Sequence, residues 1–198
     1  MDHMDPALRR AVRLVALLNF GYFGVEMAVA LAIGSVSLLA DSADFVEDAA
    51  VNFLIFAALG WSRRRRARVG MALSGVLLLP AAAFLWTLWR KFAYPVPPEA
   101  FSLSVTGLGA LAVNLFCAVT LARFREHAGS LTRAAFLSAR NDVIANIAII
   151  AAGGVTAVTR SIWPDVVVGL LIAVINLGAA REVLEAAREE HRAADARP

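Results

Sequence analysis

Four acidic side chains interrupt an otherwise apolar segment over residues 38–60, and no other segment restricts the possible folds of this chain as strongly. A carboxylate near the middle of a membrane costs about 2.5–3.5 kcal/mol on the most lenient scales, so it requires a ligand, a proton or a partner. Asp41, Asp44 and Asp48 share one face if the segment is a helix. Glu47 lies roughly 100° around the helix from Asp48. The segment therefore predicts a buried cluster of hard oxygen donors, which suit a divalent cation.

The composition is that of a membrane protein. Of the 198 residues 60% are hydrophobic, and the mean hydropathy is +0.68, which is more apolar than a soluble domain of this size. We therefore predict an all-α membrane protein, a six-transmembrane-helix bundle that forms one domain over residues 1–198 with short tails. The predicted spans are about 12–33, 36–61, 69–90, 101–122, 134–159 and 164–184. The first span also resembles a signal peptide, but Asn19 and Glu26 within it argue against cleavage.

The distribution of Lys and Arg predicts the orientation of the chain. A net charge of +3 and a pI near 9.7 could suit nucleic acid, but the cations cluster at the ends of apolar runs, so we expect no nucleic-acid partner. With six spans, fifteen cations lie on the side of the termini and three on the other side, while Arg140 lies within the fifth span. The positive-inside rule then predicts that both termini are cytoplasmic.

The fifth span contains a second set of polar side chains. Ser138, Asp142 and Asn146 are four residues apart and form a stripe on one helix face, with Asn141 beside it. At about 1.5 Å per residue, Asp142 lies about 12 Å from the inner end of its span. The acids of the second span lie about 9–15 Å from its outer end, so in a hydrocarbon core about 30 Å thick the two sets can meet near the midplane.

Three segments resemble, in order, parts of the cation diffusion facilitator family of divalent-metal transporters. The first two spans read LLNFGYFGVEMAVALAIGSVSLLADSADFVEDA, which is similar to the family's L-L-A-D followed by H/D-x-x-x-D. The fifth span, FLSARNDVIANIAIIAAG, resembles the L-H-x-x-x-D region, and WPDVVVGLLIAVINLGAAREVLEAA resembles the sixth span. The resemblance covers nearly the whole chain. It implies a homodimer in the lipid bilayer that exchanges a divalent cation (Zn, Cd, Co, Fe or Mn) for protons, with no prosthetic group and no enzymatic activity.

The resemblance also implies which residues hold the metal. The metal-binding pair of the second span falls on Asp44 and Asp48, and that of the fifth span falls on Ser138 and Asp142. Ser138 stands where the family usually has a histidine, and Arg140 places a cation beside the site. We therefore expect a weaker preference for zinc than a site with an imidazole ligand would show.

Several polar residues have more than one interpretation. Asp41 lies nearer the interface, where it could be solvated, contact a neighbouring helix or add a ligand. Glu47 could form a salt bridge with Arg140 or take part in transport. Glu26 could line the cation path, and Asn141 could supply a neutral oxygen or hold a water molecule.

Two further features usual in the family differ in this sequence. The His-rich loop between the fourth and fifth spans is represented only by His127, and fewer than twenty residues follow the sixth span, so we expect a short form without the soluble C-terminal domain. A homodimer would then be held by the spans alone. Asp165 follows Pro164 at a predicted helix start, where we expect it to interact with the helix dipole.

Two other functions remain open at this point. One is a non-transporting regulatory or binding homologue in which Ser138 and Arg140 mark a degenerate site. The other is a secondary transporter of an organic cation, with the same acids as counter-ions. The high ratio of Arg to Lys is typical of GC-rich bacterial genomes, so we expect a multi-pass protein of the bacterial inner membrane.

Overall fold

The computed structural model describes residues 6–58, 63–124 and 129–176, and these residues include six helices. The helices are α1 (Pro6–Ile33), α2 (Val36–Ala58), α3 (Arg63–Ala93), α4 (Ala100–Ala122), α5 (Gly129–Thr159) and α6 (Trp163–Asn176). The described residues contain no strand, and α1, α4 and α5 include segments long and apolar enough to cross a membrane. The prediction of an all-α membrane protein is confirmed. The predicted ends of the second and sixth spans, His127 and the extreme tails lie outside the described residues.

Three helices begin before the spans predicted from hydropathy. α1 begins at Pro6, α3 at Arg63 and α5 at Gly129. Hydropathy counts only the apolar part of a helix, whereas Arg and Ala continue a helix readily into polar surroundings. The basic segment before the third span, which we predicted as a connection, is therefore helical from Arg63 onward.

A two-residue connection joins α1 to α2, as its sequence predicted. Gly34 has a φ of 63°, in the left-handed region that residues with a side chain adopt only at a cost. The N–H of Ser35 donates to the carbonyl of Ala30 at 2.9 Å, which is the hydrogen bond of a Schellman motif at the end of α1. The chain reverses within this motif, so α2 packs along α1.

Asp165 of α6 caps the N-terminus of α2. Its fully buried carboxylate accepts hydrogen bonds from the backbone N–H groups of Val36 (2.9 Å) and Ser37 (3.0 Å). The hydroxyls of Ser35 and Ser37 both donate to Oδ1 at 2.7 Å, and Lys91 Nζ lies 4.0 Å from Oδ2. We expected Asp165 to serve its own helix, but its hydrogen bonds satisfy the free N–H groups of a helix that lies about 130 residues earlier.

A group of buried polar side chains lies between two apolar clusters. The first cluster, from α1, α4 and α5, includes Leu8, Val12, Val15, Cys117, Leu121, Ala135 and Ala139. The second cluster lies nearer the start of α2 and includes Ala30, Leu38, Leu39, Leu103, Ile149 and Ile172. Buried Asn19 and Glu26 lie between the clusters on α1, and Asp142 and Asn146 lie between them on α5. We call this region the polar layer.

Gly169 allows α6 to pack directly on the backbone at the start of α2. A Cβ atom at this position would lie 2.8 Å from the carbonyl carbon of Val36 and 2.9 Å from the backbone nitrogen of Ser37. Gly154 in α5 has nothing within 4 Å of the equivalent point. The two glycines therefore form a matched pair, one constrained by packing and one not.

We predict that Gly169→Ala lowers the free energy of unfolding by about 1–3 kcal/mol, because the added methyl group forces α6 away from α2. Gly154→Ala is the control, and it should leave stability unchanged or raise it by up to about 1 kcal/mol through the higher helix propensity of Ala. Thermal or denaturant unfolding of the purified protein in detergent measures both. Equal effects of the two substitutions would contradict the close packing at Gly169.

Candidate cation site

The polar layer brings the α2 acid Asp48 against two polar side chains of α5. Asp48 is only 4% exposed, and its Oδ1 accepts a hydrogen bond from the hydroxyl of Ser138 at 2.8 Å. Asp142, which is 8% exposed, lies close enough to Asp48 for the two carboxyl groups to interact electrostatically. The structure thus joins three of the four residues that the family resemblance implies as ligands.

The fourth residue, Asp44, contacts α6 instead of α5. Its Oδ1 accepts a hydrogen bond from the side-chain amide of Asn176. We did not single out Asn176 from the sequence, although an amide in an otherwise apolar run favours a contact with another helix. The two acids of α2 therefore contact different neighbours, Asp48 the fifth helix and Asp44 the sixth.

Two amide side chains hold Asp41, which lies about one turn before Asp44 in α2. Its Oδ2 accepts from the side-chain nitrogen of Asn146 at 2.6 Å, and Asn146 Oδ1 accepts from Asn114 of α4 at 3.0 Å. Asp41 is fully buried, so of the interpretations considered above the structure supports contact with a neighbouring helix over solvation. Its Oδ1 has no hydrogen-bond donor within the described part of the chain.

Glu26 of α1 completes the layer. Its side chain is fully buried, and neither carboxylate oxygen has a hydrogen-bond donor among the residues described. The carboxyl groups of Glu26 and Asp41 are close enough to interact electrostatically. Two acids from different helices therefore lie side by side without an intervening donor.

Three predicted accessory residues do not belong to this cluster. Glu47, Arg140 and Asn141 are exposed, and Arg140 donates to Asn141 Oδ1 at 3.3 Å. Successive residues of a helix are about 100° apart, so the neighbours of the buried Asp48 and Asp142 face other directions. Within residues 6–58, 63–124 and 129–176 no ion pair joins Glu47 to Arg140, and the expected effect of Arg140 on the site is not supported.

The acids of the polar layer have no cationic partner among the described side chains. The single ion pair between described side chains joins Lys91 to Asp165, at the N-terminus of α2. Likewise, no three His, Cys, Asp or Glu side chains of the described ranges are already arranged around a common point as metal ligands. The layer therefore presents buried carboxylates whose hydrogen-bond donors, where they have any, are neutral, an arrangement that favours a positive charge.

A family model described as the cation efflux transmembrane domain matches residues 12–190 of this chain. The match covers most of the sequence, so the chain belongs to the cation efflux family, the cation diffusion facilitators that its motifs resemble. Members of this family are transporters and not enzymes. The protein is therefore a multi-pass membrane protein of the metal-cation efflux class.

The contact between Asp44 and Asn176 can be tested by a double-mutant cycle. We predict that Asp44→Ala and Asn176→Ala show a coupling energy of about 0.6 kcal/mol, with about 1.7 kcal/mol as the upper bound known for such bonds between membrane helices. The measurement is denaturant unfolding in detergent of wild type, both single variants and the double variant. Asn141→Ala combined with Asn176→Ala is the control cycle and should be additive within about 0.3–0.5 kcal/mol. Equal coupling in the two cycles would contradict the contact.

Proposed function

We propose that this protein exports a divalent transition-metal cation from the cytoplasm in exchange for protons, through a site near the middle of the bundle. The ligands would be Asp44, Asp48, Asp142 and Ser138. The observation that carries the proposal is the buried contact of Asp48 with Ser138 and Asp142, which joins α2 to α5 in a layer without a cationic partner among the described side chains.

The chemistry of the proposed site indicates which cations it would accept. All of the proposed metal ligands are oxygen atoms of carboxylate and hydroxyl groups, and the side-chain amide of Asn176 lies next to them. Imidazole favours Zn²⁺ and Co²⁺, whereas oxygen donors discriminate less against harder ions such as Mn²⁺ and Fe²⁺. We therefore propose a cargo among Zn²⁺, Cd²⁺, Co²⁺, Fe²⁺ and Mn²⁺, with only a weak preference for zinc.

The present hydrogen bonds suggest how the arrival of the cation could change the bundle. Asp44 is held by Asn176 of α6, while Asp48 is held by Ser138 of α5. A cation shared by both acids would replace the amide donor at Asp44 and draw its carboxylate toward α5. Binding would thereby strengthen the contact of α2 with α5 and weaken the contact of α2 with α6. A ligand that favours one helix packing over another shifts the population of conformations toward it. Alternating access around a midplane site could follow from this exchange.

Proton exchange follows from the same carboxylates. They must be deprotonated to bind a divalent cation, and they can take up protons when the cation leaves. Net charge in the buried layer would then change less during the transport cycle, because protons replace the cation. This supports exchange of the two ions in opposite directions.

Orientation, location and assembly are part of the proposal. The distribution of Lys and Arg in the sequence supports cytoplasmic termini, with the connection after α1 on the outer side. We propose the bacterial inner membrane as the location and a homodimer as the assembly, as the family membership suggests. Crosslinking of the purified protein in nanodiscs would measure the number of chains.

The exchange mechanism predicts that metal flux follows a proton gradient. In proteoliposomes loaded with Zn²⁺ or Mn²⁺, an imposed pH gradient should drive metal efflux with counterflow of protons. Asp48→Asn should reduce the flux roughly tenfold or more, as expected when a group that orients or ligates a metal is lost. Glu47→Gln makes the same chemical change one residue away on the exposed face, and it should retain the flux.

Other outcomes of this experiment distinguish the alternatives. Metal flux that does not respond to the gradient would exclude proton exchange but leave metal transport in place. Metal binding without flux in wild type would favour the non-transporting homologue. Absence of metal binding, together with flux of an organic cation that Asp48→Asn abolishes, would favour the third function.

The oxygen-only ligand set predicts that a histidine changes selectivity. Ser138→His adds a nitrogen donor beside Asp48, and we expect it to raise the affinity for Zn²⁺ relative to Mn²⁺ by about tenfold. Arg140→Leu is the matched control, because this exposed side chain should not affect either affinity. Calorimetric titration of both variants with the two metals measures the change. Tight zinc binding by wild type that Ser138→His leaves unchanged would argue against a ligand position on α5.

A further inference from the structure

A second pair of acids lies within the polar layer but away from Asp48 and Asp142. Asp41 precedes Asp44 by three residues, which places it about 4.5 Å nearer to the start of α2 along the helix axis. Glu26 of α1 lies close enough to Asp41 for the two carboxyl groups to interact electrostatically. The pair therefore lies between the proposed cation site and the connection at Gly34.

The hydrogen bonds of this pair leave several oxygen atoms without a donor. Asn146 satisfies one oxygen of Asp41, at 2.6 Å, and Asn114 in turn fixes the orientation of the Asn146 amide. Both oxygens of Glu26 and Oδ1 of Asp41 are buried and lack a partner among the described residues. Adjacent like charges are unfavourable, and burial increases their repulsion, so the two groups must either keep a proton or share a cation.

The total charge of the polar layer also favours a cation near Glu26 and Asp41. Five buried or half-buried acids contribute to it: Glu26, Asp41, Asp44, Asp48 and Asp142. One divalent cation at the proposed site compensates two of five negative charges, and the described chain places no Lys, Arg or His in an ion pair with the other three. A second divalent cation would bring the layer close to neutrality.

We propose that Glu26 and Asp41, with Asn146 orienting the Asp41 carboxylate, form a second binding station for the divalent cation. This inference rests on the proposed function, and it places the station next to the first site on the route toward the N-terminal end of α2. The three unpaired oxygens are the ligands that the station offers. A cation in the first site repels one in the second, so the second station binds more weakly when the first is filled.

The experiment is a titration of the full chain in detergent with Mn²⁺ and, separately, with Zn²⁺, in which bound metal is counted after removal of free ions. Wild type should bind two ions per chain in two steps, the second weaker by roughly tenfold or more because of the repulsion between the ions. Glu26→Gln should lose the weaker step and keep the tighter one. Asp48→Asn should weaken the tighter step and leave a Glu26-dependent ion.

Two further variants and an unfolding measurement distinguish the loss of a metal ligand from a failure to fold. Asp41→Asn keeps the size of the side chain and should also lose the weaker step. Glu99→Gln, at the exposed N-cap of α4, is the control for a carboxyl-to-amide change and should bind two ions. Metal-free Glu26→Gln should unfold at a temperature no lower than wild type, because an unpaired buried acid has been removed.

The outcomes separate this inference from the proposed function. A single ion per wild-type chain, retained in Glu26→Gln and lost in Asp48→Asn, would overturn the second station and leave the first site intact. Two ions that both persist in Glu26→Gln and Asp41→Asn would also overturn it. A wild type that binds no metal would overturn both proposals, whereas loss of only the weaker step in both variants would support the station.

Discussion

The need to compensate buried carboxylates determines how this bundle is arranged. Moving an ionised acid out of water costs several kcal/mol even after relaxation, and neutral donors recover only part of that cost. The three acids that α2 contributes to the polar layer each accept a hydrogen bond from another helix, Asp48 from Ser138, Asp41 from Asn146 and Asp44 from Asn176. Apolar clusters lie on both sides of the layer, and charges interact more strongly in apolar surroundings than in water. The same features that make ionised acids costly in the layer thus favour a positive charge beside them.

Much of this architecture could be predicted from local patterns. Hydropathy predicted six helical segments, and the spacing of polar residues predicted which face of α2 and α5 is buried. The depth estimate for Asp48 and Asp142 agrees with their contact in the structure. These predictions succeed because the spacing of polar residues and the length of an apolar run are properties of a single helix. In a membrane, polar helix faces must also be buried against other helices, which leaves few alternative ways to pack the bundle.

The partners supplied by other helices could not be predicted in this way. Asn176 and Asp44 are 132 residues apart, and no periodic pattern relates them. Asn114 likewise occurs alone in an apolar helix, where an amide has many possible partners. The prediction that Arg140 acts on the site had a different weakness, since it equated closeness in sequence with closeness in space. A helix turns neighbouring side chains in different directions, and Arg140 instead faces outward, where its charge requires water or another polar surface.

The cap that Asp165 provides has a consequence for the order of assembly. During synthesis the first turn of α2 emerges long before residue 165 exists, so the N–H groups of Val36 and Ser37 lack their acceptor at that stage, and only Leu38 N–H has a local one, Ser35 Oγ. A nascent chain with only the early helices must keep that turn near water or lipid headgroups. The carboxylate of Asp165 reaches that turn only when α6 arrives, and Gly169 then allows the two helices to pack closely. The sixth helix thus completes the second.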